Sequence, residues 1–147
     1  MKQIHLVFIL ALLIGITSTL FVVTALYQST VQIRSVAAIK TVGVSIYWDP
    51  GFTEPIANID WGILEPGETK NVSCYIVNTS NVPVILTLTT GNWQPTNAEQ
   101  YMTLSWSYDE HAIPVSGYTP VTLSFHVDQT TTGIKTFSFD ITITGSG

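Results

Sequence analysis

Lys70-Asn71-Val72-Ser73-Cys74-Tyr75-Ile76-Val77 alternates in character, with Val72, Cys74 and Ile76 on one face and Asn71, Ser73 and Tyr75 on the other. A period of two belongs to a pleated strand that lays one side against a core. Asn78-Thr79-Ser80-Asn81 follows. Its short polar side chains bond to the neighbouring backbone and so favour a turn. Pro83 to Thr90 then returns with Val84, Leu86 and Leu88 on the inward side. Together these segments predict a hairpin.

The same period runs outward in both directions. Thr41 to Trp48 places Val42, Val44, Ile46 and Trp48 on one face, and Asp49-Pro50-Gly51 ends it. There Pro fixes φ and Gly accepts a positive one. Ile59 to Gly62 is a short strand before the tight turn Glu65-Pro66-Gly67. Thr96 to Glu99 allows at most one helical turn. Met102 to Tyr108 sets Leu104 and Trp106 on one side, Thr119 to Asp128 directs Val121, Leu123, Phe125 and Val127 inward, and Ile134 to Ile143 closes with Phe137, Phe139 and Ile141 inward. Seven or eight strands with turns about every ten residues, and no long amphipathic helices, predict an all-β antiparallel sandwich, immunoglobulin-like or jelly-roll-like, over residues 40–147.

The chain begins differently. Ile4 to Leu26 is an apolar run of 23 residues behind Met1-Lys2-Gln3. As a helix it spans roughly 30 Å or more, enough to cross a bilayer. Two readings stand for residues 1–26: a signal peptide cut near Ala25 after Val23-Thr24-Ala25, or a retained transmembrane anchor. Lys2 keeps the N-terminus in the cytoplasm under either reading, so the body is expected outside the cell. Residues 27–39 are expected to be an extended linker with Tyr27, Val31 and Ile33 on one face.

Leu64-Glu65-Pro66-Gly67-Glu68-Thr69-Lys70-Asn71-Val72, continued by Val77-Asn78-Thr79-Ser80-Asn81-Val82-Pro83-Val84, resembles the proline-glycine turn and following hairpin of extracellular immunoglobulin-like proteins. Among them are the TasA/camelysin class of biofilm fibre proteins and the archaeal bundling-pilus subunits. The resemblance covers about 20 residues closely and Lys40 to Gly147 loosely. It implies assembly by donor-strand complementation, in which one subunit's N-terminal strand completes the next subunit's sheet. Tyr27, Val31 and Ile33 would be the donor positions. An apolar helix ahead of a sandwich also resembles archaellum and pilus components, which implies an archaellum-stator-like accessory role as the alternative.

Chemistry is sparse. A net charge of −5 with five basic residues offers no stripe for phosphates, so no nucleic-acid partner is expected. His5, His111 and His126 lack ligand spacing, and Cys74 is the single cysteine and is read as a buried thiol. No metal, cofactor or catalytic residue is expected, and the chain is read as a non-enzyme. Asp49, Glu54 and Asp60 are the acidic residues best placed to gather around calcium. Trp48 and Trp106 read as core, whereas Trp61, Trp93, Tyr47 and Tyr75 read as candidates for stacking on a glycan. Asn71-Val72-Ser73 and Asn78-Thr79-Ser80 are glycosylation sequons, both expected to be accessible.

These readings converge on a non-catalytic extracellular structural protein, a glycoprotein subunit of a surface filament, pilus or biofilm fibre. The alternative is a membrane-anchored adhesion module that binds an envelope protein or glycan. The partner is expected to be a second copy or another envelope protein.

Overall fold

A computed structural model describes residues 32–147. The leader, Tyr27 and Val31 lie outside those residues. Eight strands follow one another: β1 (Ile33–Val42), β2 (Val44–Tyr47), β3 (Asn58–Leu64), β4 (Thr69–Asn78), β5 (Ile85–Gln94), β6 (Met102–Trp106), β7 (Tyr118–Val127) and β8 (Thr136–Ser146). One 3₁₀ turn, Thr96–Gln100, separates β5 from β6. The strands form two four-stranded sheets, ordered β3-β1-β8-β5 and β2-β4-β7-β6. Every pair is antiparallel except β1 with β8, which run parallel from Arg34 opposite Thr136 to Val42 opposite Thr144.

Six of the seven connections carry the chain from one sheet to the other, and only β6 and β7 are consecutive neighbours. This corrects the expected hairpin at Asn78-Asn81. β4 and β5 lie in opposite sheets, and that turn is a corner between them. Periodicity cannot separate the two cases, because a strand alternates in the same way whichever sheet it joins. The first corner is at Gly43, with φ +72 and with the Gly145 carbonyl only 3.2 Å from where a Cβ would stand. An L-residue there would be both strained and crowded.

Gly43 also overturns one expected face. Val42 ends β1 on the outside and is 58% exposed, while Val44 and Ile46 turn inward in β2. Trp48 lies beyond the end of β2 and is exposed rather than core. Trp106 is half-buried and packs against the core.

The core lies between the sheets and is aromatic at its centre. Phe125 of β7 stacks on Trp61 of β3 at 5.1 Å and on Phe137 and Phe139 of β8 at 5.4 and 5.3 Å between ring centroids. These contacts join one sheet to the other. Trp61 and Trp93 are 2% and 4% exposed, so both belong to this cluster and neither is a stacking surface for a glycan.

For Trp93 the physical reason is a bulge. The β5–β8 register shifts between Gly91 and Gln94, and Asn92 takes φ 53. The extra residue reverses the alternation that starts at Leu86 and turns Trp93 inward. A matching irregularity in the β1–β3 register leaves Trp61 without a direct partner between Asp60 and Gly62.

β1 begins inside the segment expected to be a linker and runs past the boundary expected at Lys40. Ile33 is fully buried in this chain's own core, and β1 is paired on both sides, to β3 and β8.

Candidate functional site

The outward side chains of β4 and β7 divide into two zones. Around Asn71 they are small and hydroxylated: Asn71 is opposite Ser124, which is opposite Ser105, and Ser73 is opposite Thr122. Two residues further along β4 the same face becomes aromatic. Tyr75 has Tyr47 of β2 on one side and Pro120 of β7 on the other, and Val77 lies between Ser45 and Tyr118.

Phe52 closes this group. Its ring lies 5.6 Å from Tyr47 and 5.2 Å from Tyr118, and Tyr118 lies 6.4 Å from Tyr75. Tyr118 is 54% exposed, while Tyr47, Phe52 and Tyr75 are half-buried by one another.

Local chemistry holds Phe52 there against its backbone preference. Its φ is 57, a left-handed value that costs a non-glycine residue of order 1–3 kcal/mol. The Asp49 carboxylate accepts hydrogen bonds from the backbone N–H groups of Gly51, Thr53 and Glu54 at 2.8–3.2 Å and from the Thr53 hydroxyl at 3.1 Å. The Phe52 N–H donates to the Asp49 carbonyl at 3.2 Å. The loop is closed by Trp48 N–H, just past β2, donating to the Glu54 carbonyl, and is tied to β2 by Ile56 N–H donating to the Ile46 carbonyl. These donors, led by the Glu54 N–H, hold the Asp49 carboxyl below its usual range. Asp49 is therefore committed to the turn. Asp60 similarly accepts the Gly62 N–H at 2.8 Å.

The planes of neighbouring rings in the cluster are tilted by 53–65°. Stacking along a sugar chain needs ring faces that lie roughly in one plane. Rings tilted against one another, one pair of them edge to face, make an apolar cluster rather than a flat platform, and aromatic residues are enriched at protein–protein contact centres. Tyr47 and Tyr75 are thus brought together as an outward pair. Sequence reading missed Phe52 and Tyr118. Tyr118 was within reach, because the inward alternation of Val121, Leu123 and Phe125 extends back to Thr119 and leaves Tyr118 outside. Phe52 carried no signal, since a non-glycine residue at positive φ cannot be read from a turn motif.

The other candidates fall apart from this cluster. Asn71 is exposed, whereas Asn78 is 1% exposed. The Asn78 side-chain N–H₂ donates to the carbonyls of Val82, Ile113 and Pro114 at 2.8–3.2 Å, which corrects its expected accessibility. Its Oδ1 accepts from the Ser80 N–H and hydroxyl. An asparagine that can bond in this way to its own turn is a corner plug, and this accounts for its burial.

His111 pairs with Asp109 in an exposed turn, and His126 with the Thr69 hydroxyl at 2.9 Å. Cys74 is buried, and desolvation pushes its thiol up to about 12. Among the described residues no three His, Cys, Asp or Glu side chains gather where a metal would bind. An open recess of about 550 Å³ lies beside Arg34, Gln94, Pro95 and Phe137. No family model matches this chain, and no curated protein matches it.

Proposed function

We propose that the chain is a non-catalytic, exported immunoglobulin-like sandwich, delivered to the outer face of a membrane by Ile4 to Leu26, that docks another envelope protein. The observation that carries this reading is the outward aromatic cluster of Tyr47, Phe52, Tyr75 and Tyr118, held by a strained loop. Apolar surface of this kind on one face of a sheet marks a contact site. Rigid aromatic side chains serve as anchors because they lose little conformational freedom on binding. The test places a photo-crosslinking amino acid at position 118 of the full chain in its native cells, and at Thr87 on the outer face of the other sheet as the control. A discrete protein adduct from position 118 alone supports the reading. Equal labelling from both positions, or none from 118, overturns it.

A second reading, a surface-filament subunit built by strand complementation, draws support from β1. This strand lies at the N-terminal end of the described residues and pairs with β8 in parallel across nine positions. Two copies exchanging β1 would keep every one of those pairs. With Cys74→Ser, the double substitution Val36→Cys and Ser138→Cys reports on this directly, since the two positions are partners and both are exposed. Disulfides between chains in assembled material support exchange, and disulfides only within chains exclude it.

A further inference from the structure

We infer that Asn71 is an N-glycosylation site and that its glycan guards the open edge of β4. This rests on the extracytoplasmic placement proposed above. Of the two sequons, only Asn71-Val72-Ser73 presents its asparagine to solvent. At Asn78-Thr79-Ser80 the nitrogen that would carry the sugar is spent on three carbonyls inside the fold. Asn71 and Ser73 sit two apart on one strand, so both side chains stand on the same outer face. The neighbours of Asn71 across the sheet are Ser124 and then Ser105, so small side chains leave room for a first sugar above them.

The position on the edge gives the sugar a task. The Asn78 N–H donates to the Gly117 carbonyl at 2.9 Å, and this sets the phase of the β4–β7 ladder. Val72, Cys74 and Ile76 then exchange hydrogen bonds with β7, while Asn71, Ser73 and Tyr75 direct their backbone groups away from it. Pro120 opposite Tyr75 agrees with that phase, because a proline cannot donate. β2 takes up only the stretch from Tyr75 to Asn78. Among the described residues, the backbone of Asn71 and Ser73 therefore faces an unpaired edge. Such an edge accepts strands from other copies unless it is blunted. A sugar on Asn71 obstructs that approach with bulk and bound water. In the transfer, Asn71 Nδ2 bonds to C1 of the first sugar of a lipid-phosphate-linked oligosaccharide. The C1–O bond breaks, the lipid phosphate leaves with the electron pair, and one amide proton is lost.

The test uses the full chain from its own cells: external protease treatment of intact cells, then intact mass and peptide mapping. The inference expects the body to be cut from outside, sugar on the Asn71 peptide and none on the Asn78 peptide. A body exposed outside with bare Asn71, or with sugar on Asn78, overturns the inference and leaves the proposed function standing. A body shielded from the protease overturns both. Asn71→Gln and Ser73→Ala should each remove the mass increment, and Ser73→Thr should keep it. Protein stripped of its sugar enzymatically should sediment as larger species. If it stays monomeric, the glycan has no guarding role.

Discussion

Trp93 lies flat on Phe139, with ring centroids 4.1 Å apart and planes 4° from parallel. The two come from neighbouring strands of one sheet, and Phe125 reaches both from the opposite sheet. Removing Trp93 empties the centre of the core. Trp93→Ala is expected to cost about 3–5 kcal/mol. The urea midpoint of the full chain should fall accordingly, whereas Trp48→Ala, at an exposed position, should change stability by about 0.5 kcal/mol or less.

That contrast inverts what the residues alone suggest, and the inversion has a definite source. Most strand segments, the 3₁₀ turn and most inward positions were legible, because alternation directly reports burial of one face, whereas β1 was read largely as a linker. What alternation cannot carry is an interruption of its own phase. Gly43 breaks the run from Val42 to Trp48 by sending the chain to the other sheet, and the bulge at Asn92 reverses the run from Leu86 to Trp93. The first leaves Val42 outside and the second carries Trp93 into the core, while Trp48 is exposed because β2 ends at Tyr47. The candidate site was half legible for a related reason. Tyr47 and Tyr75 pair across β2 and β4 as outward residues, but Phe52 joins them only through a backbone conformation set by the Asp49 carboxylate.

Asn78 provides the second prediction. Its side chain satisfies three buried or half-buried carbonyls at the corner between β4 and β5. Each carbonyl keeps one other donor, the Ser80 hydroxyl, the Val84 N–H and the Gly117 N–H respectively. Asn78→Ala therefore removes three hydrogen bonds and the Ser80 acceptor without orphaning a carbonyl, and the expected loss is about 2–3 kcal/mol. Asn71→Ala, made in a host that adds no sugar, should shift stability by no more than about 0.5 kcal/mol. Chemical denaturation of both variants checks the difference. Equal effects would mean that the corner does not depend on Asn78.

Acid should destabilise the domain through three turn carboxylates and one on β8. The carboxyls of Asp49, Asp109, Asp128 and Asp140 are all held below their usual range. The leading causes are, in order, the Glu54 N–H, His111, the Thr130 hydroxyl and the Lys40 ammonium. A carboxyl with a depressed folded value binds its proton more readily when unfolded. Its stabilisation is therefore complete above the unfolded value of about 4 and is lost as pH falls through the folded value. Tm should be nearly level from neutral pH to about 5 and decline below about 4. Asp49→Asn should flatten part of that decline, because an amide oxygen still accepts hydrogen bonds but does not titrate. A decline of unchanged steepness in this variant would remove Asp49 from the account.

Cys74 gives a probe of how tightly β4 is held in its sheet. Its Sγ donates to the Val121 carbonyl at 3.5 Å, the side chain is 1% exposed, and burial pushes the thiol up to about 12. At pH 8 the thiolate is then scarcer than in a free cysteine by about a thousandfold, and a reagent also has no path to the sulfur. Native protein should therefore react with a disulfide reagent at least a thousandfold more slowly than the same chain in guanidinium chloride. Reaction in the native state must wait for the core around β4 to open. The rate should consequently be independent of reagent concentration once the reagent is abundant, and should equal an opening rate. A native rate that rises in proportion to reagent, at the speed of a free thiol, would show instead that the open edge at Asn71 and Ser73 frays far enough to expose the residue beside it.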